Sequence, residues 1–92
     1  MPPDALAVVV QGSGYSGFRV DLRCAVADRD ACAAVLDAAT AEDGPSCAPA
    51  PVVPDRIVVT GAIRGEEVSA VLRRRTSCEI ERYDDALAAL GL

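Results

Sequence analysis

Apolar and polar positions alternate in blocks that read as strands, a helix and a stiff loop. Residues 5–10 form a continuous apolar run rich in β-branched side chains, which predicts a strand. Residues 18–24 alternate, with Phe18, Val20, Leu22 and Cys24 set against Arg19, Asp21 and Arg23, the period of a strand with one buried face. Between them, three glycines in residues 11–17 predict a hairpin turn. Their spacing loosely suggests a phosphate loop. The Gly-Lys-Ser/Thr ending is missing, however, and no helical pattern follows.

Residues 31–41 have helical propensity and place Cys32, Val35, Leu36 and Ala39 on one side, with Asp28 or Asp30 positioned as N-cap. Glu42, Asp43, Gly44 and Pro45 end that helix. Residues 46–55 follow Pro45 and contain Pro49, Pro51 and Pro54, so the chain there is predicted to be extended, exposed and stiff. Residues 56–62 and 66–74 predict a second hairpin, the latter with Val68, Ala70 and Leu72 on one face. Residues 84–90 fit either a short helix or a last edge strand, and residues 1–4 a frayed leader. The order gives an α+β fold: a single antiparallel sheet of about five strands, with one or two helices packed on one face.

The chain has 92 residues and reads as one domain, residues 1–92. Alanine and valine dominate its apolar content, with one Phe, two Tyr and no Trp, so a core this small needs reinforcement. Four cysteines, Cys24, Cys32, Cys47 and Cys78, could provide it as two disulfides. Three pairings are possible. Cys24–Cys32 with Cys47–Cys78 is favoured, because each bridge then ties a strand end to a neighbouring segment. In the chain-entropy model these would contribute about 2.5 and about 3.5–4 kcal/mol. Such cysteine use points to an oxidising compartment and hence to a secreted protein. Residues 5–10 are too short for the apolar core of a signal peptide, so export makes Met1 the head of a chain whose leader is already gone.

Other chemistries fare poorly. Net charge is −5, carried against nine Arg and no Lys, which argues against nucleic-acid binding; the run Arg73-Arg74-Arg75 reads as a solvated strand end. There is no His and no Cys-x-x-Cys pair, so neither a metal nor another cofactor is expected. No run is long enough to span a membrane. An enzyme is not expected either: no base is available to Cys47 or Cys78, and Glu66-Glu67 and Asp84-Asp85 are adjacent carboxylates on a solvated surface.

Several motifs in order resemble the subtilisin inhibitor family of Streptomyces and related actinobacteria. They are Val20-Asp21-Leu22-Arg23-Cys24, Ala31-Cys32-Ala33-Ala34-Val35, Cys47 followed by Pro54, the hairpin from Val59-Thr60-Gly61 to Val68-Ser69, and Ser77-Cys78-Glu79-Ile80. The resemblance implies a secreted inhibitor of subtilisin-like serine proteases, homodimeric, with a five-stranded sheet and two helices. It implies the same pairing of first with second and third with fourth cysteine. It also places the reactive bond just after Cys47, within Ala48, Pro49, Ala50, Pro51 and Val52. The loop is one residue longer than the family's, so the reactive residue is Ala50 counted back from Pro54, or Pro49 counted forward from Cys47. The corresponding bonds are Ala50–Pro51 and Pro49–Ala50, both poor substrates for ordinary subtilisins. The Cys24–Cys32 loop is shorter than the family's, and the C-terminal segment differs. Two other readings stand beside this one: a non-inhibitory binding module of the same fold, and an unrelated cytosolic protein with free thiols.

Overall fold

The computed structural model describes residues 4–12, 15–25, 27–41, 46–51 and 53–91. Strands β1 (Ala5–Gly12) and β2 (Tyr15–Arg23) form the first hairpin, and β3 (Arg56–Ile63) and β4 (Glu66–Leu72) the second. Helix α1 (Arg29–Thr40) lies between the hairpins in sequence, and α2 (Ser77–Ala89) follows them. β1 also pairs with β3, so all neighbours are antiparallel in the order β2-β1-β3-β4. The fold is α+β, as the patterning predicts, with four strands where about five were expected.

The period-2 pattern sets which face is buried. Leu6, Val8 and Val10 of β1, Leu22 of β2, Ile57 and Val59 of β3 and Leu72 of β4 point into the core. Cys32, Val35 and Ala38 of α1 and Tyr83 and Ala86 of α2 cover them. Val20 and Val68 pack against that core; the side chain of Phe18, predicted to join it, lies outside the described residues. Since the core is built largely from Val, Ala and Cys, each side chain removes little apolar area from water, and the two covalent bridges carry more of the stability than in a Leu- and Phe-rich domain.

The turn between β3 and β4 depends on its backbone conformation and on one long-range tie. Arg64 and Gly65 connect β3 to β4 with φ of 52° and 80°, the positive values that a two-residue hairpin turn requires. Arg64 is held there by its N–H, which donates to Asp4 Oδ1 at 2.8 Å. Asp4 is therefore engaged rather than frayed, and its carbonyl also accepts from the Cys24 N–H at 3.0 Å. Residues 1–3 of the expected leader, and the turn residues Ser13 and Gly14, lie outside the described residues.

Two expectations need correction. Asp28 occupies the N-cap position of α1, but its carboxylate makes no cap bond and instead accepts from the Arg23 N–H at 2.9 Å, closing the turn after β2. The C-terminal element is a helix, and it begins at Ser77 rather than near residue 84, so Cys78 sits in its first turn rather than in a loop. Its start is fixed by Thr76, whose hydroxyl accepts from the Glu79 N–H at 3.1 Å.

Candidate functional site

All four cysteines are bridged in the favoured pairing, Cys24–Cys32 and Cys47–Cys78. The first ties the end of β2 to α1, and the second ties the proline-rich segment to the first turn of α2. After Cys47 the chain runs antiparallel to residues 75–77, which lead from β4 into the first residue of α2. The Ser77 N–H donates to the Ala48 carbonyl at 2.8 Å, and the Ala50 N–H donates to the Arg75 carbonyl at 2.9 Å. Between them, Pro49 faces Thr76 as a non-hydrogen-bonded pair. The Ala48 N–H donates further to Ser77 Oγ at 3.0 Å.

This short ladder decides which backbone edge is open. In an extended chain, successive residues direct their N–H and C=O groups to opposite sides. The N–H and C=O of Ala48 are spent on Ser77, and the N–H of Ala50 on Arg75. The groups of Cys47, Pro49 and Pro51 face away, and on that edge proline has no N–H to offer. Ala48, Pro49 and Pro51 are exposed, whereas Cys47 and Ala50 are half-buried. Of the five residues that the family resemblance marks, four are thus brought together as one tethered strand, and Val52 lies outside the described residues.

The partner segment is itself braced. Glu79, only 8% exposed, accepts from the Arg75 N–H at 2.8 Å and from that residue's guanidinium at 3.1 and 2.9 Å. The Arg75 side-chain hydrogen bond holds the Glu79 carboxyl below its usual range, outweighing the opposing effect of burial. Arg74 pairs with Asp84 at 2.7 Å and lies over the Tyr83 ring at 4.8 Å. Two of the three consecutive arginines are therefore structural links from β4 to α2, where a solvated strand end was expected. α2 is in turn tied to the end of α1 by Arg82, whose guanidinium donates to the Ala41 carbonyl at 2.6 Å.

Thr76 has no role in the sequence reading, and Arg75, Ser77 and Glu79 enter it only as part of a strand end and of a family motif, not as the brace of this loop. A signal was present: Thr76-x-x-Glu79 directly before the apolar Ile80 is a capping-box pattern, and it marks a helix start beside Cys78. No family model, curated protein or solved structure matches this chain.

Proposed function

We propose that this chain is a secreted inhibitor of serine proteases that offers residues 47–51 as a substrate held in place, with Pro49–Ala50 as the bond presented. One observation carries the reading: the chain is fastened on both sides of that bond. Ala48 is bonded to Ser77, Ala50 to Arg75, and Cys47 is bridged to Cys78. A protease reads an extended substrate by adding it as a strand, which uses one backbone edge. Little ordering entropy is lost when the strand is already extended and pinned.

The same tethers oppose completed hydrolysis. When the enzyme's serine oxygen attacks the Pro49 carbonyl carbon, the C–N bond breaks and the Ala50 nitrogen leaves with a proton. That amine stays beside the Arg75 carbonyl, so it can attack the ester, reform the amide and return the proton to the serine. The alternative bond, Ala50–Pro51, is less well supported. It would require Ala50 and Ala48 to pair with the enzyme through groups already committed to Arg75 and Ser77. Its nitrogen is also proline's.

The two disulfides and the ordered set of motifs resembling the subtilisin inhibitor family support secretion. A homodimer is part of the proposal. Helices cover one sheet face, and the other leaves Ala7, Val9 and Val58 half-buried and Val71 46% exposed, beside the exposed Arg19, Asp21 and Thr60. Pairing of that face with a second copy predicts a dimer mass in light scattering at micromolar concentration; a monomer mass counts against it.

Pro49 and Pro51 favour one second reading. With no donor on the outward edge at either residue, the strip could dock in a partner's groove as a non-inhibitory binding module. Tight-binding titration against subtilisin and a panel of secreted serine proteases separates the two. Stoichiometric inhibition of any member supports the inhibitor. No inhibition by an intact, fully bridged sample supports the binding module.

A further inference from the structure

Resting on the inhibitor reading, we infer that the target is a serine endopeptidase that cleaves after proline, with Pro49 in its specificity pocket. The ladder between Ala48, Ala50 and residues 75–77 directs the backbone edge of Cys47, Pro49 and Pro51 outward. A protease that pairs with this edge meets alternate residues, and the exposed Pro49 is the one at its centre.

Proline at that position selects the enzyme. A general protease whose cleft bonds the N–H of the residue before the cut finds none here, and its own acceptor stays unpaired. That costs on the order of tenfold to a hundredfold in affinity. A cleft shaped for proline loses nothing, because it never used that N–H. It gains a ring whose φ is fixed before binding. The bond after Pro49 is an ordinary secondary amide with the Ala50 nitrogen as leaving group, so post-proline chemistry can proceed on it. Ala48 and Ala50, small residues on either side, ask for shallow neighbouring subsites. The enzyme must also admit a folded protein, since the strand is pinned to residues 75–77 and Cys78 and cannot be threaded into a closed chamber.

The test titrates the wild-type protein, Pro49→Lys and Ala50→Lys against three enzymes: a post-proline endopeptidase that digests intact casein, subtilisin and trypsin. Both disulfides of each variant are first confirmed by mass spectrometry. The expected result is stoichiometric inhibition of the post-proline enzyme by the wild type, at least tenfold tighter than of subtilisin. Pro49→Lys should lose at least a hundredfold against the post-proline enzyme and gain inhibition of trypsin. Tighter inhibition of subtilisin by the wild type overturns the post-proline target but leaves the inhibitor reading standing. A wild type that inhibits nothing while Pro49→Lys inhibits trypsin overturns the post-proline target and the inhibitor reading of the wild type, leaving a strand that a protease accepts only once Pro49 is replaced. A switch to trypsin that follows Ala50→Lys rather than Pro49→Lys overturns the assignment of Pro49. No inhibition by any of the three proteins overturns this inference and the inhibitor reading together.

Discussion

Ser77→Ala is the sharpest perturbation of the loop. It removes the hydroxyl that accepts from the Ala48 N–H at 3.0 Å, while the Ser77 backbone N–H still donates to the Ala48 carbonyl at 2.8 Å. One of the ties on residues 47–50 is lost and the rest remain. A neutral hydrogen bond contributes about 0.5–1.5 kcal/mol net, and exposure of both partners puts this one near about 0.5–1 kcal/mol. Local opening should then become about two- to fivefold more populated at 25 °C. The readout is amide hydrogen exchange at Ala48 by NMR, together with the rate of proteolytic nicking at residues 48–51. Both should rise two- to fivefold. Global stability in urea should stay within about 0.5 kcal/mol of wild type, because the helix cap is Thr76 and alanine is a good helix former at position 77. Unchanged exchange at Ala48 would refute the claim that Ser77 fastens the loop. A large global loss would show that Ser77 supports the fold instead.

Thr76→Ala should do the reverse and cost about 1 kcal/mol globally in urea unfolding, since it uncaps α2. Glu79→Gln weakens the bonds to Arg75 and should cost about 1–2 kcal/mol at pH 7. Because the folded carboxyl of Glu79 titrates below its ordinary range, its contribution is complete above the unfolded value and disappears as pH falls through the folded one. The gap between wild type and Glu79→Gln in urea titrations should therefore narrow in acid, and a gap independent of pH would contradict the Arg75 assignment. Gly61→Ala should destabilise by about 2–3 kcal/mol in the same assay. Its φ is 150°, and a Cβ there would overlap the Ala5 carbonyl oxygen where β1 and β3 pair. Replacing Cys47 and Cys78 together with alanine opens a bridge of sequence separation 31, which should cost about 3.5–4 kcal/mol and accelerate nicking at residues 48–51 far more than Ser77→Ala does.

The strands and α1 were legible because each buries one face, and burial writes its period into the sequence. Val20 and Leu22 in β2 alternate with Arg19, Asp21 and Arg23, and Val68 and Leu72 in β4 keep the same period, so these side chains point inward. α2 was misplaced for a physical reason. Its first turn, Ser77-Cys78-Glu79-Ile80, presents a buried carboxylate and a disulfide to the interior, not an apolar stripe. A hydrophobic period is therefore absent until Tyr83, and only the cap at Thr76 announced the start. The extended course of residues 48–51 followed from Pro49 and Pro51, whose rings fix φ. Which edge of that strand faces outward did not, because it depends on long-range bonds to Ser77 and Arg75 that leave no local pattern.

The most direct test of the double tether approaches one equilibrium from both sides. The intact protein, and protein already nicked after Pro49 with its bridges retained, are each incubated with a catalytic amount of the protease that it titrates. The ratio of intact to nicked chain is then followed by mass spectrometry under non-reducing and reducing conditions. Both samples should converge on one ratio, with the Pro49–Ala50 bond resynthesised in the nicked sample. One-way digestion of both samples into smaller fragments, or a cut at any other bond, would contradict it.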